Sequence, residues 1–222
     1  MIETVHTDEG LPPRRVGGPS VLSYGSTRSS HSTTTVARFL FCLTIALSFP
    51  FVVAYKAGPP AGHTGGFGEP TCIACHADNE LDPPGGSLEV RNFPEHYTPG
   101  GSYVFTVHVG GDGMGRAGYQ LSVRTAAGER AGENAGTLAA TDPRTSVITA
   151  PATGVLYAQH VLAGIVPLWK DSTEWAIRWT APPAASGTVI LHVAANAANY
   201  DDSEYGDRIY HTAIESSGSP SR

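Results

Sequence analysis

Cys72, Cys75 and His76 are the side chains whose types and spacing point to a definite chemistry. The stretch Cys72-Ile73-Ala74-Cys75-His76 is a C-x-x-C-H sequence, the pattern of c-type haem attachment. Two thiols at this spacing can add to the two vinyl groups of one haem, and the adjacent histidine then lies under the iron as its proximal ligand. The pattern therefore predicts one covalent haem c, attached through Cys72 and Cys75 and ligated by His76.

Other uses of this cysteine pair remain open alternatives. The only other cysteine, Cys42, lies in an apolar run that we expect to be removed. A thioredoxin-type redox pair would begin a helix within a βαβ unit, and no such unit is evident in the sequence. A zinc site would need further ligands at a suitable spacing. Haem attachment is favoured over zinc and over a disulfide with an incidental histidine.

The composition limits the fold class and the partners. The chain has 222 residues with 26 Gly and 17 Pro, and 41% of it is hydrophobic. This mixture supports a core but predicts many turns and few long helices, which favours an all-β domain. The formal net charge is −6 and no cluster of basic residues extends beyond Arg14-Arg15. Nucleic acid and anionic membrane surfaces are therefore not expected as partners.

The N-terminal part predicts export. An apolar run at residues 39–54 follows Arg38, and Val52 and Ala54 supply the small residues of a cleavage site. We therefore assign residues 36–54 as a secretory signal peptide. A bilayer span takes about 20 apolar residues, so a membrane association is expected only if the segment is uncleaved. Residues 1–35 are polar and predict a disordered leader, or untranslated sequence if Val36 is the true start. The expected location is the periplasm or the cell exterior.

The remainder of the chain shows the period-two alternation of β-strands. Tyr103, Phe105, Val107 and Val109 alternate with more polar residues, and Trp175, Ile177 and Trp179 form the best candidate for a core strand. Further runs lie at 119–123, 145–150, 155–161, 187–195 and 208–214. About seven such strands predict an immunoglobulin-like two-sheet β-sandwich with an irregular N-terminal haem-binding segment. We assign residues 55–86 to the linker and C-x-x-C-H segment, 87–215 to the sandwich and 216–222 to a disordered tail.

The stretch from about Gly65 to Thr212 resembles a bacterial pattern in which one C-x-x-C-H segment precedes a domain similar to the Reeler domain at the N-terminus of reelin. The resemblance implies an extracellular β-sandwich and assigns it no reaction. It is carried by residues 68–76, 97–103 and 116–121, the His160 position, and residues 175–182, 187–189, 194–199 and 206–210.

The ligand on the opposite face of the iron has several candidates. His160 is the first, because the resemblance places a histidine at that position, and Met114 is the alternative as the only methionine of the mature chain. His or Met in this position is typical of an electron-transfer haem, whereas an open position allows small ligands to bind. The remaining candidates, besides an open site, are His63, His96, His108, His192 and His211, of which His96 is favoured because it is near the motif in the sequence.

The expected function is that of an exported c-type cytochrome that transfers electrons to or from a partner protein whose identity the sequence does not give. The alternative is a secreted or surface-bound binding or adhesion module in which the haem is structural or sensory. An enzyme is not expected, because no distal His/Arg pair, catalytic triad or nucleophile elbow is evident. The acidic residues Asp201, Asp202, Glu204 and Asp207 favour a solvated loop over a calcium site, since their spacing matches no EF-hand.

Overall fold

The structure is a computed structural model that describes residues 18, 25, 57–184 and 187–218. Residues 57–218 belong to one compact unit, Val53–Arg222. The proposed leader at 1–35, the signal segment at 36–54 and most of the proposed tail lie outside the described residues. Among the described residues, no helix is long and apolar enough to cross a bilayer.

The described part of the chain is built from β-strands and two short 3₁₀ helices, at Cys72–Ala74 and Leu162–Gly164. The prediction of an all-β fold is confirmed. The strands are β1 (Gly86–Arg91), β2 (His96–Tyr97), β3 (Ser102–Gly111), β4 (Arg116–Thr125), β5 (Thr137–Ala140), β6 (Thr145–Thr149), β7 (Leu156–His160), β8 (Ser172–Thr180), β9 (Thr188–Ala198) and β10 (Arg208–Gly218).

The strands form two sheets, as expected for an immunoglobulin-like sandwich. One sheet has four strands in the order β1-β3-β8-β5, and the other has six in the order β2-β10-β9-β4-β7-β6. All strand pairs are antiparallel except β2 with β10, which is parallel. Strands that follow each other in the chain, such as β3 and β4 or β8 and β9, lie in different sheets, as is typical of Greek-key sandwiches.

The core lies between the two sheets and is centred on β8. Trp175, Ile177 and Trp179 have no exposed surface, which confirms the alternation predicted for this strand. Each indole N–H donates a hydrogen bond to a main-chain carbonyl, Trp175 to Gly164 at 3.1 Å and Trp179 to Ala135 at 2.7 Å. The burial of each large ring therefore leaves no polar atom without a partner.

The six-stranded sheet also carries polar residues that are buried on its other side, which we call the outer face. On β4, Gln120 and Ser122 have no exposed surface although they point away from the core. They are covered because residues 57–82 run across this face: the Gln120 amide donates to the Pro60 carbonyl at 3.0 Å, and Asp82 N–H donates to the Ile209 carbonyl at 2.8 Å. The C-x-x-C-H segment is thus packed on the sandwich.

Candidate functional site

The C-x-x-C-H residues lie on one tight turn. Thr71 begins the 3₁₀ helix Cys72–Ala74, and its hydroxyl accepts a hydrogen bond from Ile73 N–H. The N–H groups of Cys75 and His76 both lie 3.1 Å from the Cys72 carbonyl. The turn therefore brings two thiols and one imidazole together within five residues of chain.

Both cysteines of the turn are free thiols, but their surroundings differ. Cys75 is exposed, whereas Cys72 is half-buried as a residue and its thiol is withdrawn from solvent. This burial raises the pKa of the Cys72 thiol to about 12. Catalytic C-x-x-C pairs require a lowered thiol pKa, so this environment disfavours a redox-active pair.

His76 is held by a buried carboxylate that is far away in the sequence. Its Nδ1 lies 2.7 Å from Asp207 Oδ2, and the Asp207 side chain is only 1% exposed against 30% for His76. Because a carboxylate accepts, Nδ1 carries the proton and the lone pair is left on Nε2. A histidine that donates one ring N–H to a carboxylate and presents its other nitrogen is typical of metal ligands.

Asp207 is itself fixed by three asparagines. The Asn196 amide donates to its Oδ2 at 3.0 Å, Asn199 N–H donates to its Oδ1 at 3.1 Å, and the Asn79 amide donates to its main-chain carbonyl at 2.7 Å. Asn196 also lies 3.4 Å from both ring nitrogens of His76. These contacts compensate for the burial of the carboxylate and fix the orientation of the imidazole.

A second polar cluster fastens the segment to the sheet upstream of the turn. We call Glu69 and its partners Thr64, Arg124 and Tyr157 the Glu69 clamp. Glu69 accepts from Thr64 Oγ1 at 2.6 Å and from the Tyr157 hydroxyl at 2.5 Å, and it pairs with the Arg124 guanidinium. Burial opposes ionisation of Glu69, but these donors together hold the pKa of the carboxyl below its ordinary value.

The Glu69 clamp borders an open cavity of about 520 Å³. Arg124 also donates to Ser122 Oγ at 3.0 Å and to the Tyr157 hydroxyl at 2.9 Å. Glu69 and Arg124, which line this cavity, therefore serve to hold the N-terminal segment against the sheet.

The two predicted distal ligands lie in different surroundings. His160 is buried at the end of β7, and its Nδ1 lies 2.9 Å from the Tyr119 N–H, which donates to it. Met114 is 6% exposed and packs in the core between the sheets. The structure therefore does not bring Met114 to the outer face, where the Cys72–His76 turn lies.

The other histidines are divided between the two sheets. His192 on β9 and His211 on β10 lie on the outer face, where a Cβ on Gly66 or Gly65 would meet their rings at 2.5 and 2.9 Å. His96 is exposed on β2, and His108 lies on β3 of the four-stranded sheet. The outer face thus carries His192 and His211, and it is contacted by His63 at Gln120, by His76 at Asn196 and by His160 at Gly118.

The acidic residues 201–207 were expected to form a solvated loop, but the Asp207 side chain is buried. The Asp201 carboxylate accepts from Ser203 N–H at 3.0 Å and from Ser203 Oγ at 2.8 Å. Asp207 instead points inward to His76. Among the described residues, no three His, Cys, Asp or Glu side chains converge in a way that could hold a metal ion. A haem iron differs in this respect, because the protein supplies only its axial ligands.

A hydrophobic surface lies in the connection between β7 and β8. Leu162, Val166, Leu168 and Trp169 are each between 50% and 60% exposed. Grouped exposed apolar side chains of this kind are typical of interaction sites.

No family model and no curated protein matches this chain. Among solved structures, it is similar to the Reelin-N domain of F-spondin, at 19% identity over 67% of this chain and 97% of that one with a TM-score of 0.45. The human F-spondin reeler domain gives 18% identity over 64% and 96%, with a TM-score of 0.44. A cohesin module of a Clostridium perfringens family 33 glycoside hydrolase gives 11% over 60% and 95%, with a TM-score of 0.39. At TM-scores below 0.5 these likenesses support no conclusion, and the fold assignment rests on the strand pairing.

Proposed function

We propose that this chain is an exported c-type cytochrome with one covalent haem, attached through Cys72 and Cys75 and ligated by His76, and that it transfers electrons. The observation that carries the proposal is the contact of His76 Nδ1 with the buried carboxylate of Asp207 at 2.7 Å. Burial of an acidic side chain is costly without a partner of this kind. A carboxylate directed at the histidine of a C-x-x-C-H turn fits an iron ligand.

The residues of the turn fit the group in two further respects. Cys72 and Cys75 are unpaired, so neither sulfur is committed to a disulfide. The turn is also at the surface, with Cys75 exposed and His76 partly exposed, so a group held there would be within reach of a partner protein.

In this function each residue has a separate role. A bound haem supplies one-electron chemistry at its iron. Asp207 holds the imidazole proton at Nδ1 and makes Nε2 the ligating atom, while Asn196 and Asn199 hold Asp207. The Glu69 clamp keeps the preceding loop against the sheet, so the turn stays packed on β9 and the neighbouring strand β10.

The test is a pyridine haemochrome assay on the full chain, exported from cells that carry c-type maturation machinery. The expected result is a c-type spectrum that survives acid-acetone extraction in the wild type and is absent from Cys72→Ala/Cys75→Ala. Cys42→Ala is the matched control and is expected to retain it. An extractable pigment, or none, in the wild type would contradict the proposal.

The exposed apolar residues favour a second candidate, the binding or adhesion module. In this function Leu168 and Trp169 contact a partner on the cell exterior, and the haem is structural or sensory. A fluorescently labelled chain is then expected to bind cell envelopes of the source organism equally well with and without Cys72→Ala/Cys75→Ala. Binding that is unaffected by Leu168→Ser/Trp169→Ser would contradict this candidate.

A further inference from the structure

His63 has its proton position set by the main chain. Its Nδ1 lies 2.9 Å from the Pro60 carbonyl oxygen. A carbonyl only accepts hydrogen bonds, so Nδ1 carries the proton and Nε2 carries the lone pair. This is the same tautomer that Asp207 imposes on His76, and histidines that bind metals commonly donate to a backbone carbonyl in this way.

The loop between His63 and the turn folds back on itself. Gly65 N–H donates to the Pro70 carbonyl at 3.0 Å, and a Cβ on Gly65 would lie 2.9 Å from Thr71 Cγ2. His63 lies two residues before Gly65 on one limb of the loop, and Cys72 lies two residues after Pro70 on the other. The loop closure therefore brings the limb that carries His63 against the limb that leads into Cys72.

The register of the six-stranded sheet independently places His63 and His76 on the same surface. The main-chain N–H of His63 donates to Gln120 Oε1 at 2.7 Å, whereas His76 contacts Asn196. Gln120 pairs with Ala194, two residues before Asn196 on β9. Gln120 and Asn196 are thus diagonal neighbours on the outer face, about 7–8 Å apart. Both histidines are anchored to adjacent positions of one surface.

We propose that His63 is the second axial ligand of the haem, opposite His76. The inference rests on the proposed function. Ligation by His63 requires neither a change of its tautomer nor the movement of a core residue. The matching Nδ1–H donors of His63 and His76 leave two Nε2 atoms as the ligand pair.

The competing histidines are held differently. His160 is buried at 8% exposure, whereas His63 is partly exposed. The Nδ1 atom of His160 lies 2.9 Å from the Tyr119 N–H and 3.2 Å from the Tyr119 carbonyl oxygen, so both contacts hold the ring against the main chain of β4. For His192 and His211, the buried Nδ1 atoms have no hydrogen-bond partner among the described residues. The Asp82 carboxylate lies 3.7 Å from His211 Nδ1, beyond hydrogen-bond distance, so neither histidine has a hydrogen bond that fixes its tautomer.

The test uses the full haem-loaded chain and reads the spin state of the ferric haem by electron paramagnetic resonance and absorption. The wild type is expected to be six-coordinate and low-spin. His63→Gly is expected to convert the haem to a high-spin form, and added imidazole is expected to restore the low-spin spectrum by filling the vacated position. His96→Gly and His160→Gln are the matched controls and are expected to stay low-spin.

A low-spin spectrum retained in His63→Gly, or a five-coordinate wild type, would overturn the inference while leaving covalent attachment intact. A haemochrome assay on the same samples distinguishes a wrong ligand assignment from failure of the proposed function. Absence of covalent haem in the wild type would overturn both the proposed function and the assignment of His63.

A readout without haem is ¹⁵N NMR of the full-length Cys72→Ala/Cys75→Ala chain. The His63 signals, assigned by comparison with the additional His63→Gly change, are expected to show Nδ1 protonated. A proton on Nε2 would overturn the inference.

Discussion

His76 Nδ1 lies 2.7 Å from Asp207 Oδ2, and this carboxylate is almost completely buried. Asp207 precedes β10, whereas His76 follows the short helix Cys72–Ala74, so the contact joins two distant parts of the chain. A buried carboxylate beside an imidazole gives the ring more negative character, which stabilises a more highly charged metal ion.

Asp207→Asn is expected to raise the reduction potential of the bound haem. The amide keeps a hydrogen-bond acceptor but removes the negative charge that favours ferric iron. Partners of this kind change metal affinity about 10–100-fold. If the change in affinity applies to only one oxidation state of the iron, the reduction potential shifts by about 60–120 mV for a one-electron couple. Spectroelectrochemical titration measures it, with Asp201→Asn, an exposed change in the same loop, as the control. An unchanged potential would show that Asp207 does not act on the iron ligand.

Glu69→Gln is expected to destabilise the protein by about 3 kcal/mol, since it removes one partner of a buried ion pair and leaves the Arg124 charge uncompensated. Urea unfolding of the haem-free chain measures the free energy. The control is Glu133→Gln, which breaks the exposed pair with Arg130, where both side chains are more than half exposed. That change is expected to cost less than about 1 kcal/mol. Equal effects of the two substitutions would contradict the role assigned to the Glu69 clamp.

His192 is expected to make stability fall in mild acid. Burial, followed by the nearby Arg124 and His211, lowers the pKa of its imidazole below the ordinary 6.5, while Glu69 acts in the opposite direction. Below about pH 6.5 the unfolded chain therefore binds more protons at this position than the folded chain, so the free energy of unfolding decreases as the pH falls. The loss is complete below the pKa of the folded state.

His192→Gln is expected to remove part of this pH dependence. Thermal unfolding measured at several pH values between 7.5 and 5 gives the slope, with exposed His96→Gln as the control. A slope that is the same in the wild type and in His192→Gln would be inconsistent with a lowered pKa at His192. Glu69 adds a separate loss at lower pH, because the carboxyl with a lowered pKa loses its contribution only as it becomes protonated.

The two cysteines are expected to react at different rates in the haem-free chain. Cys75 is exposed, whereas burial raises the pKa of Cys72 to about 12. Since the thiolate is the reactive form, iodoacetamide at pH 8 is expected to modify Cys75 at least ten times faster than Cys72. Mass spectrometry of the digested protein at timed intervals gives both rates, and unfolding in guanidinium is the control that should equalise them. Equal rates in the folded chain would contradict the burial of Cys72.

The sequence predicted the parts of the fold that local patterning controls. The strict alternation of Trp175, Ile177 and Trp179 is visible without a structure because a half-buried strand repeats every two residues. β5 (Thr137–Ala140) was not predicted, since it has four residues, of which three are exposed, and lacks alternation. β2 was missed for a similar reason: it has two residues and exists only through its pairing with β10.

The candidate site was predicted only in its local part. Cys72, Cys75 and His76 are adjacent in the chain, so their chemistry can be inferred from spacing. Asp207 was visible as an acidic residue, but its contact with His76 depends on how residues 57–82 cross the outer face. The tautomer of His63 depends equally on a main-chain contact with Pro60. Contacts of this kind between distant segments have no signature in a single sequence.

Mass spectrometry of the exported chain tests the central claim most directly. Trypsin is expected to release residues 57–91 as one peptide, because no Lys or Arg lies between Lys56 and Arg91. After denaturation and extraction, this peptide is expected to carry the mass of one haem, with fragmentation locating it on Cys72 and Cys75. The same peptide with two free or disulfide-bonded cysteines, from cells that mature other c-type cytochromes, would contradict the account.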